Sequence, residues 1–329
     1  MTRVDAPGGP GGAAAPPTVD AACFLCGAGD ADPVWTTPDR AFGVPGVYTV
    51  ARCRGCGFLY QRPRVRDDHL ADCYPDHYPR HQEPSPRVPF QGSSARVRAV
   101  RWALARGLGY TAWQHERPGL LTRLRGRRLL RRLRWDCPPW RGRGRYLDVG
   151  CGSGAAPWRR FTARLHVGDL QAAPFGAGEF DVISAYHVLE HVPDPVGAVR
   201  RMLGWLAPGG LLVVEVPNAG GFGARLFGRA WSGLELPRRA SERLGREVGE
   251  VARQAGGRVV WCWHQAKPRY YLWSLGLWLR DRGAPALARA CEWRPLYGVL
   301  KLGLELTLPL ARWARRGEVI RIGIERAAQ

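Results

Sequence analysis

Apolar residues in the second half of the chain come in short runs bounded by glycine and proline. Arg145-Tyr-Leu-Asp-Val149 predicts a strand, and Gly150-Cys-Gly-Ser-Gly154 and a helical segment over 155–163 follow it. Phe180 to His191 reads as a strand running into a helix, and Leu206 to Asn218 as a turn, a buried strand and a stop. Residues 240–255 predict a helix ended by Gly256-Gly257, and Arg258–Trp263 a strand. In Glu318–Glu325 the alternation of Ile320, Ile322 and Ile324 with other residues predicts one more strand.

A helical rhythm dominates elsewhere. Leu120, Leu121, Leu124, Leu129, Leu130 and Leu133 stand among Arg123, Arg125, Arg127, Arg128, Arg131, Arg132 and Arg134, which predicts a basic amphipathic helix. Residues 264–316 form an insertion between the last two strands, with one aromatic helix around Tyr270–Leu279 and a leucine-rich one around Leu296–Leu308. Lys301 and Glu305 interrupt the second, so neither is expected to span a membrane. The segment Gly220–Arg239, with Phe222, Phe227, Trp231 and Leu234, is expected as a mobile cover over a pocket.

Charge changes this picture in one place. The 329 residues carry 49 basic and 28 acidic side chains, a net charge of +21. All the basic residues but Lys267 and Lys301 are arginines, as a GC-rich coding sequence would give. Residues 96–145, however, hold 15 arginines against Glu116 and Asp136, so +13 falls in that one stretch. Three explanations are open: a solvated helix packed on the domain, a face for an anionic membrane surface or phosphorylated substrate, and nucleic acid. The last is the weakest, because no recognised nucleic-acid module accompanies the arginines.

The nine cysteines include two C-x-x-C pairs, Cys23/Cys26 and Cys53/Cys56, each followed by a glycine. Four thiolates in two tight turns suit a tetrahedral Zn2+ site of structural type, a closed four-cysteine module over residues 21–66 that resembles a zinc ribbon. Residues 1–20, rich in Gly, Pro and Ala, are expected to be a disordered lead, with no secretory apolar core. A cytoplasmic location, with peripheral contact at the inner membrane face as a further option, is the matching expectation. Residues 67–140 are expected to be a basic helical connector and 141–329 the catalytic domain.

Leu147-Asp-Val-Gly-Cys-Gly-Ser-Gly154, Gly168-Asp169, Phe180–His191 and Leu206–Asn218 occur in the order found in class I S-adenosylmethionine-dependent methyltransferases, and the chain resembles that family over 145–262. The paired cysteines followed by Cys56-Gly-Phe-Leu-Tyr-Gln-Arg-Pro63 resemble the zinc-binding segment of a bacterial subgroup of it. The resemblance implies an α/β fold: a doubly wound Rossmann-like sheet closed by an antiparallel strand pair. It also implies S-adenosyl-L-methionine as cofactor, with Asp148 holding the turn and the methionine amino group. Gly150, Gly152 and Gly154 would let the cofactor lie against the backbone. His187 and His191 flank Glu190 after the fourth strand of the family pattern, and either is a candidate base. The rival reading is that Glu190 and His191 brace a loop.

The sequence departs from the family between Asp148 and Asp169, where 21 residues leave room for one helix and one strand instead of two of each. The surviving strand is therefore expected beside the first. Asp169 would then bind the ribose, and the loop from Leu170 would cover adenine. The expected activity is methyl transfer to a small-molecule or lipid-linked acceptor, with carbohydrate or another cell-envelope component favoured. A degenerate, non-catalytic binding protein and a nucleic-acid methyltransferase or binder are the alternatives.

Overall fold

The computed structural model describes residues 14–74, 92–150, 163–166, 170, 172–238 and 247–327. The chain begins with a small β unit. Strands β2 (Ala31–Pro38), β3 (Val47–Cys53) and β4 (Leu59–Gln61) form an antiparallel sheet, and β1 (Thr18–Val19) pairs with β5 (Arg64–Val65). The end of the expected disordered lead is thus ordered. Thr18 pairs with Val65, and Arg62 makes a two-pronged ion pair with Asp20, so backbone and charge contacts hold a segment with little to bury.

Helices α1 (Ala95–Leu108) and α2 (Leu120–Asp136) follow. Ser94 caps α1 by accepting from the Val97 amide, and Gly109 ends it at φ +79. The two helices close on each other around Leu104, Leu108, Tyr110, Leu133 and Cys137. The basic helix therefore packs through its carboxyl-terminal half, while Leu120 and Leu121 near its start stay exposed.

The main sheet holds, among the described residues, six strands in the order β10-β11-β9-β8-β6-β7. These are β6 (Tyr146–Val149), β7 (Ala163–His166), β8 (Phe180–Tyr186), β9 (Leu206–Pro217), β10 (Gly257–Gln265) and β11 (Val319–Arg326). β7, β6, β8 and β9 are parallel, and β11 runs antiparallel to both β9 and β10. Among the described residues, the strand between Asp148 and Asp169 is β7, and it lies beside β6, where a shortened sheet would place it. Ala163, expected at the end of a helix, begins β7; the rest of that segment lies outside the described residues.

Alternation gives the sheet two unlike faces. One carries Leu147, Val149, Ile183, Leu212, Val214, Ile320 and Ile322 into a core with α3 (Pro195–Trp205) and α5 (Glu247–Gln254). Cys23, Cys53, Phe58 and Tyr60 of the β unit belong to the same core. The other face carries Tyr146, Asp148, Ser184, Tyr186, Glu215 and Arg321, all on one side by strand register. It lies under α2, where the Arg134 carbonyl accepts from Arg321 Nη1 at 3.2 Å and Trp135 meets Trp263 edge-on at 6.0 Å.

Between β10 and β11 stand α6 (Pro268–Asp281), α7 (Pro285–Glu292) and α8 (Arg294–Trp313). The α7 segment went unread in the sequence because it is short and lies between two louder apolar patterns. No helix among the described residues is long and apolar enough to cross a membrane. The expected mobile cover is instead fastened down. It forms α4 (Phe222–Phe227) and a 3-10 turn, and Trp231 is buried with Tyr48, Val50 and Leu59 of the β unit. Buried Glu318 holds it, accepting from Trp231 Nε1 at 2.6 Å, the Gly223 amide at 2.8 Å and the Tyr271 hydroxyl at 2.9 Å. An apolar Gly- and Arg-rich segment looks loose in sequence, but one indole in a core fixes it.

Candidate active site and four-cysteine centre

The order of the sheet reverses at β6, with β7 on one side and β8 on the other. In open α/β sheets the crevice at such a point, outside the carboxyl ends of the strands, is where ligands bind. Gly150 stands there at φ +63. A Cβ on it would meet Val188 Cγ2 at 2.5 Å, so both backbone angle and space require glycine. Asp148, fully buried, accepts from the Ser184 hydroxyl, which accepts in turn from the Tyr146 hydroxyl. Leu170 is buried beyond β7. Gly152, Gly154 and Asp169 lie outside the described residues.

At the end of β8 the chain turns through His187, which has φ +55, and its amide donates to the Glu215 carbonyl at 2.9 Å. Its ring lies between two carboxylates, Nδ1 at 3.0 Å from Glu190 Oε1 and Nε2 at 3.4 Å from Glu215 Oε1. Burial disfavours the imidazolium, but the two carboxylates outweigh it and hold the His187 pKa above its ordinary 6.5. Glu215 is also gripped by Arg321, Nε at 2.8 Å and Nη2 at 2.6 Å. Burial raises the Glu215 carboxyl pKa, whereas Arg321 and His187 drive it far below the usual carboxylate range. Arg321 lies over the Tyr186 ring at 4.5 Å.

His191 is used differently. Its Nδ1 is 2.9 Å from the carbonyl of Arg238 and 3.0 Å from the Tyr74 hydroxyl. A carbonyl only accepts, so Nδ1 carries the proton. Arg238 is itself fully buried and pairs two-pronged with Asp39 of the β unit, at 2.7 and 2.8 Å. Asp39 further accepts from the amides of Ala41 and Val44. Sequence reasoning missed Glu215, Arg321, Asp39 and Arg238. Glu215 and Arg321 left a signal, a charge inside an apolar strand run, which demands a buried partner. Asp39 and Arg238 left none, being far apart in loops.

The four cysteines Cys23, Cys26, Cys53 and Cys56 converge, their sulfur atoms all within 4.8 Å of one another. Each pair forms a tight knuckle, with the Gly27 amide donating to the Cys23 carbonyl at 2.7 Å and that of Gly57 to Cys53 at 2.9 Å. Burial raises the Cys53 thiol, but the amides of Cys56 and Gly55 and the Cys26 sulfur bring it down to about 7. Four convergent soft sulfur donors fit a tetrahedral thiolate metal site.

Residues 113–260 match a family model described as a methyltransferase domain. Over these residues the chain is similar to methyltransferase domains, in keeping with the resemblance to the class I S-adenosylmethionine-dependent methyltransferases. It is similar to a ubiquinone biosynthesis O-methyltransferase of Xanthomonas axonopodis pv. citri, 34% identical over 105 residues, covering 22% of this chain and 43% of that protein. A protein of the same name from Marinobacter nauticus is 31% identical over 107 residues, covering 22% and 44%. The chain thus spans less than half the length of these two relatives. Among solved structures it is similar to a putative sarcosine dimethylglycine methyltransferase from Galdieria sulphuraria, with 16% identity and a TM-score of 0.33, covering 56% of this chain and 78% of that one. A possible histamine N-methyltransferase from Thermotoga maritima has 16% identity and a TM-score of 0.34, covering 56% and 83%.

Proposed function

We propose that this protein transfers a methyl group from S-adenosylmethionine to a small-molecule or lipid-linked acceptor. The observation that carries the reading is the Gly150 turn at the reversal point of the sheet, where a Cβ would fill the space beside Val188. When bound, the cofactor supplies a sulfonium-activated methyl group for in-line displacement, so positioning and exclusion of water dominate the rate. In this reading Asp148 holds the turn and the methionine amino group. Gly150, Gly152 and Gly154 give the backbone surface, Asp169 takes the ribose hydroxyls, and Leu170 begins the cover over adenine.

His187 is the proposed proton acceptor for an acceptor hydroxyl. Glu190 and Glu215 stabilise the imidazolium it would become, as a carboxylate behind a catalytic histidine does. The names of the curated relatives favour oxygen as the acceptor atom. His191 is proposed as a positioning group that ties the end of β8 to Arg238. The four cysteines are proposed to hold one structural Zn2+. Trp293, Leu306 and Trp313, exposed on the insertion, favour peripheral contact with an anionic membrane.

Calorimetry with the zinc-loaded protein tests the cofactor reading. One S-adenosylmethionine is expected to bind per chain, with Gly150→Val weakening it about tenfold or more, because β-branched residues resist φ > 0 at a cost of about 1–3 kcal/mol. Absence of binding by the wild type would instead indicate a non-catalytic member of the fold.

A further inference from the structure

A cavity of about 690 Å³ lies along the β9, β11 and β10 edge of the sheet. It sits where β9 and β10 end and β11 begins, beside the start of α5. Because β10 runs parallel to β9, this is the same carboxyl edge that holds Gly150 and His187, displaced toward the antiparallel strands. Its floor is apolar, with Val248, Val259, Ile320 and Ile322. Its polar lining is one-signed: Arg225, Arg315 and Arg316 reach it, and among the described residues no Asp or Glu does.

These three arginines share one cavity. Arg40, Arg145, Arg238, Arg280 and Arg321 each meet a carboxylate, whereas among the described residues Arg225, Arg315 and Arg316, like Arg106, Arg200 and Arg269, meet none; unlike those, the three converge on one apolar-floored cavity. Arg315 moreover has φ +53, a conformation that residues other than glycine rarely hold. His264 also lines the cavity, and its buried Nδ1 has no hydrogen-bond partner among the described residues. Burial lowers the His264 pKa, and Arg315 beside it adds to the effect, so the ring is neutral and able to accept or donate one hydrogen bond. Asn218 is held in the wall by donating to the Gly317 carbonyl at 2.7 Å and accepting from the Gly220 amide at 3.0 Å.

An apolar path leads to the same place. The outer face of α8 exposes Val299, Leu302, Leu306, Leu310 and Trp313 by 69, 59, 75, 69 and 86%, at helical spacing. The stripe ends at Trp313, one residue before the cavity lining resumes at Ala314.

We infer that this cavity binds an anionic group, of the phosphate or phosphate-ester kind, carried on an apolar body. The arginines and His264 take the anion, and the aliphatic floor with the α8 stripe takes the apolar part. As the place where the acceptor is held, the cavity rests on the methyl-transfer reading; as a binding site it does not.

Decyl phosphate below its micelle concentration, titrated calorimetrically without S-adenosylmethionine, tests the site. One molecule is expected to bind per chain. Inorganic phosphate and decanol are each expected to bind at least about tenfold more weakly, since each forfeits either the apolar or the charge-assisted contribution. The doubly substituted Arg225→Gln, Arg316→Gln protein is expected to lose about tenfold or more in decyl phosphate affinity, from two lost charge-assisted contacts. Arg225 is exposed and Arg316 half-buried beside the Phe222 ring, and unchanged circular dichroism and binding of S-adenosylmethionine would show the fold intact. No binding by the wild type, equal binding by the variant, or equal binding of decanol would each overturn the assignment. A separate S-adenosylmethionine titration of the same protein reports on the methyl-transfer reading, so the two failures are distinguishable.

Discussion

The proposed chemistry rests on His187. It leaves β8 in the left-handed region and places its ring between Glu190 and Glu215. Its raised pKa makes a signed prediction. A proton held more tightly in the folded state stabilises the protein below the unfolded pKa of about 6.5, and that contribution is lost as pH rises through the higher folded value. The lowered Glu215 pKa works the other way, stabilising above the unfolded carboxyl value and lost only as pH falls through the folded one. NMR titration of the imidazole is therefore expected to give a midpoint above 6.5, moved down by Glu215→Gln. A midpoint at or below 6.5 in the wild type would remove the carboxylates' hold on the ring. The sequence placed His187 at the end of a strand but gave no sign that Glu215, 28 positions on, would face it.

At the scale of elements, the four-cysteine unit is joined to the main sheet by more than a linker. Cys23, Cys53, Phe58 and Tyr60 share the core that holds Leu147, Ile183 and Val214, and Gln254 of α5 donates to the Leu25 carbonyl at 3.3 Å. A structural zinc at the cysteines would then stabilise the main sheet as well, since ligand binding to the folded state is folding free energy. Metal analysis is expected to find one zinc per chain. Removing it with a chelator is expected to lower the melting temperature of the whole protein in a single transition. Two separate transitions, with that of the main sheet unmoved, would show that the β unit is an independent appendage. The cysteine pairs were plain in sequence because their spacing is local. The shared core was not, because nothing local says which apolar face a small β unit will cover.

Over the whole molecule, the connection that matters most is the buried pair of Asp39 and Arg238. It joins residues 199 positions apart, and the Arg238 carbonyl continues it to His191 beside the site. Removing one partner leaves a buried charge alone. Asp39→Ala is accordingly expected to cost about 3–5 kcal/mol in denaturant-induced unfolding, a figure typical of broken buried pairs. A loss below about 1 kcal/mol, the value of a surface pair, would mean that the guanidinium finds water or another partner. The net charge belongs to this scale too. Much of it falls on α1, α2 and the turns around them, yet the arginines that face a cavity without a counter-charge are Arg225, Arg315 and Arg316, outside that stretch.

The sequence alone determined whatever depends on neighbours along the chain. Strand runs, the glycine turn after Val149, the basic helix, the cysteine knuckles and the position of the insertion are all set by local spacing, turn chemistry and hydrophobic period. Counting residues between Asp148 and Asp169 was enough to foresee that a strand from that segment would lie beside β6, as β7 does. Only the tertiary structure decided the long-range pairings. It placed Glu215 and Arg321 in one row of the sheet, Asp39 against Arg238, and Trp231 inside a core instead of on a lid. The reason is energetic. A buried charge or indole is tolerable only with its partner in place, and such partners are fixed by how strands order and layers close, which no stretch of sequence contains by itself.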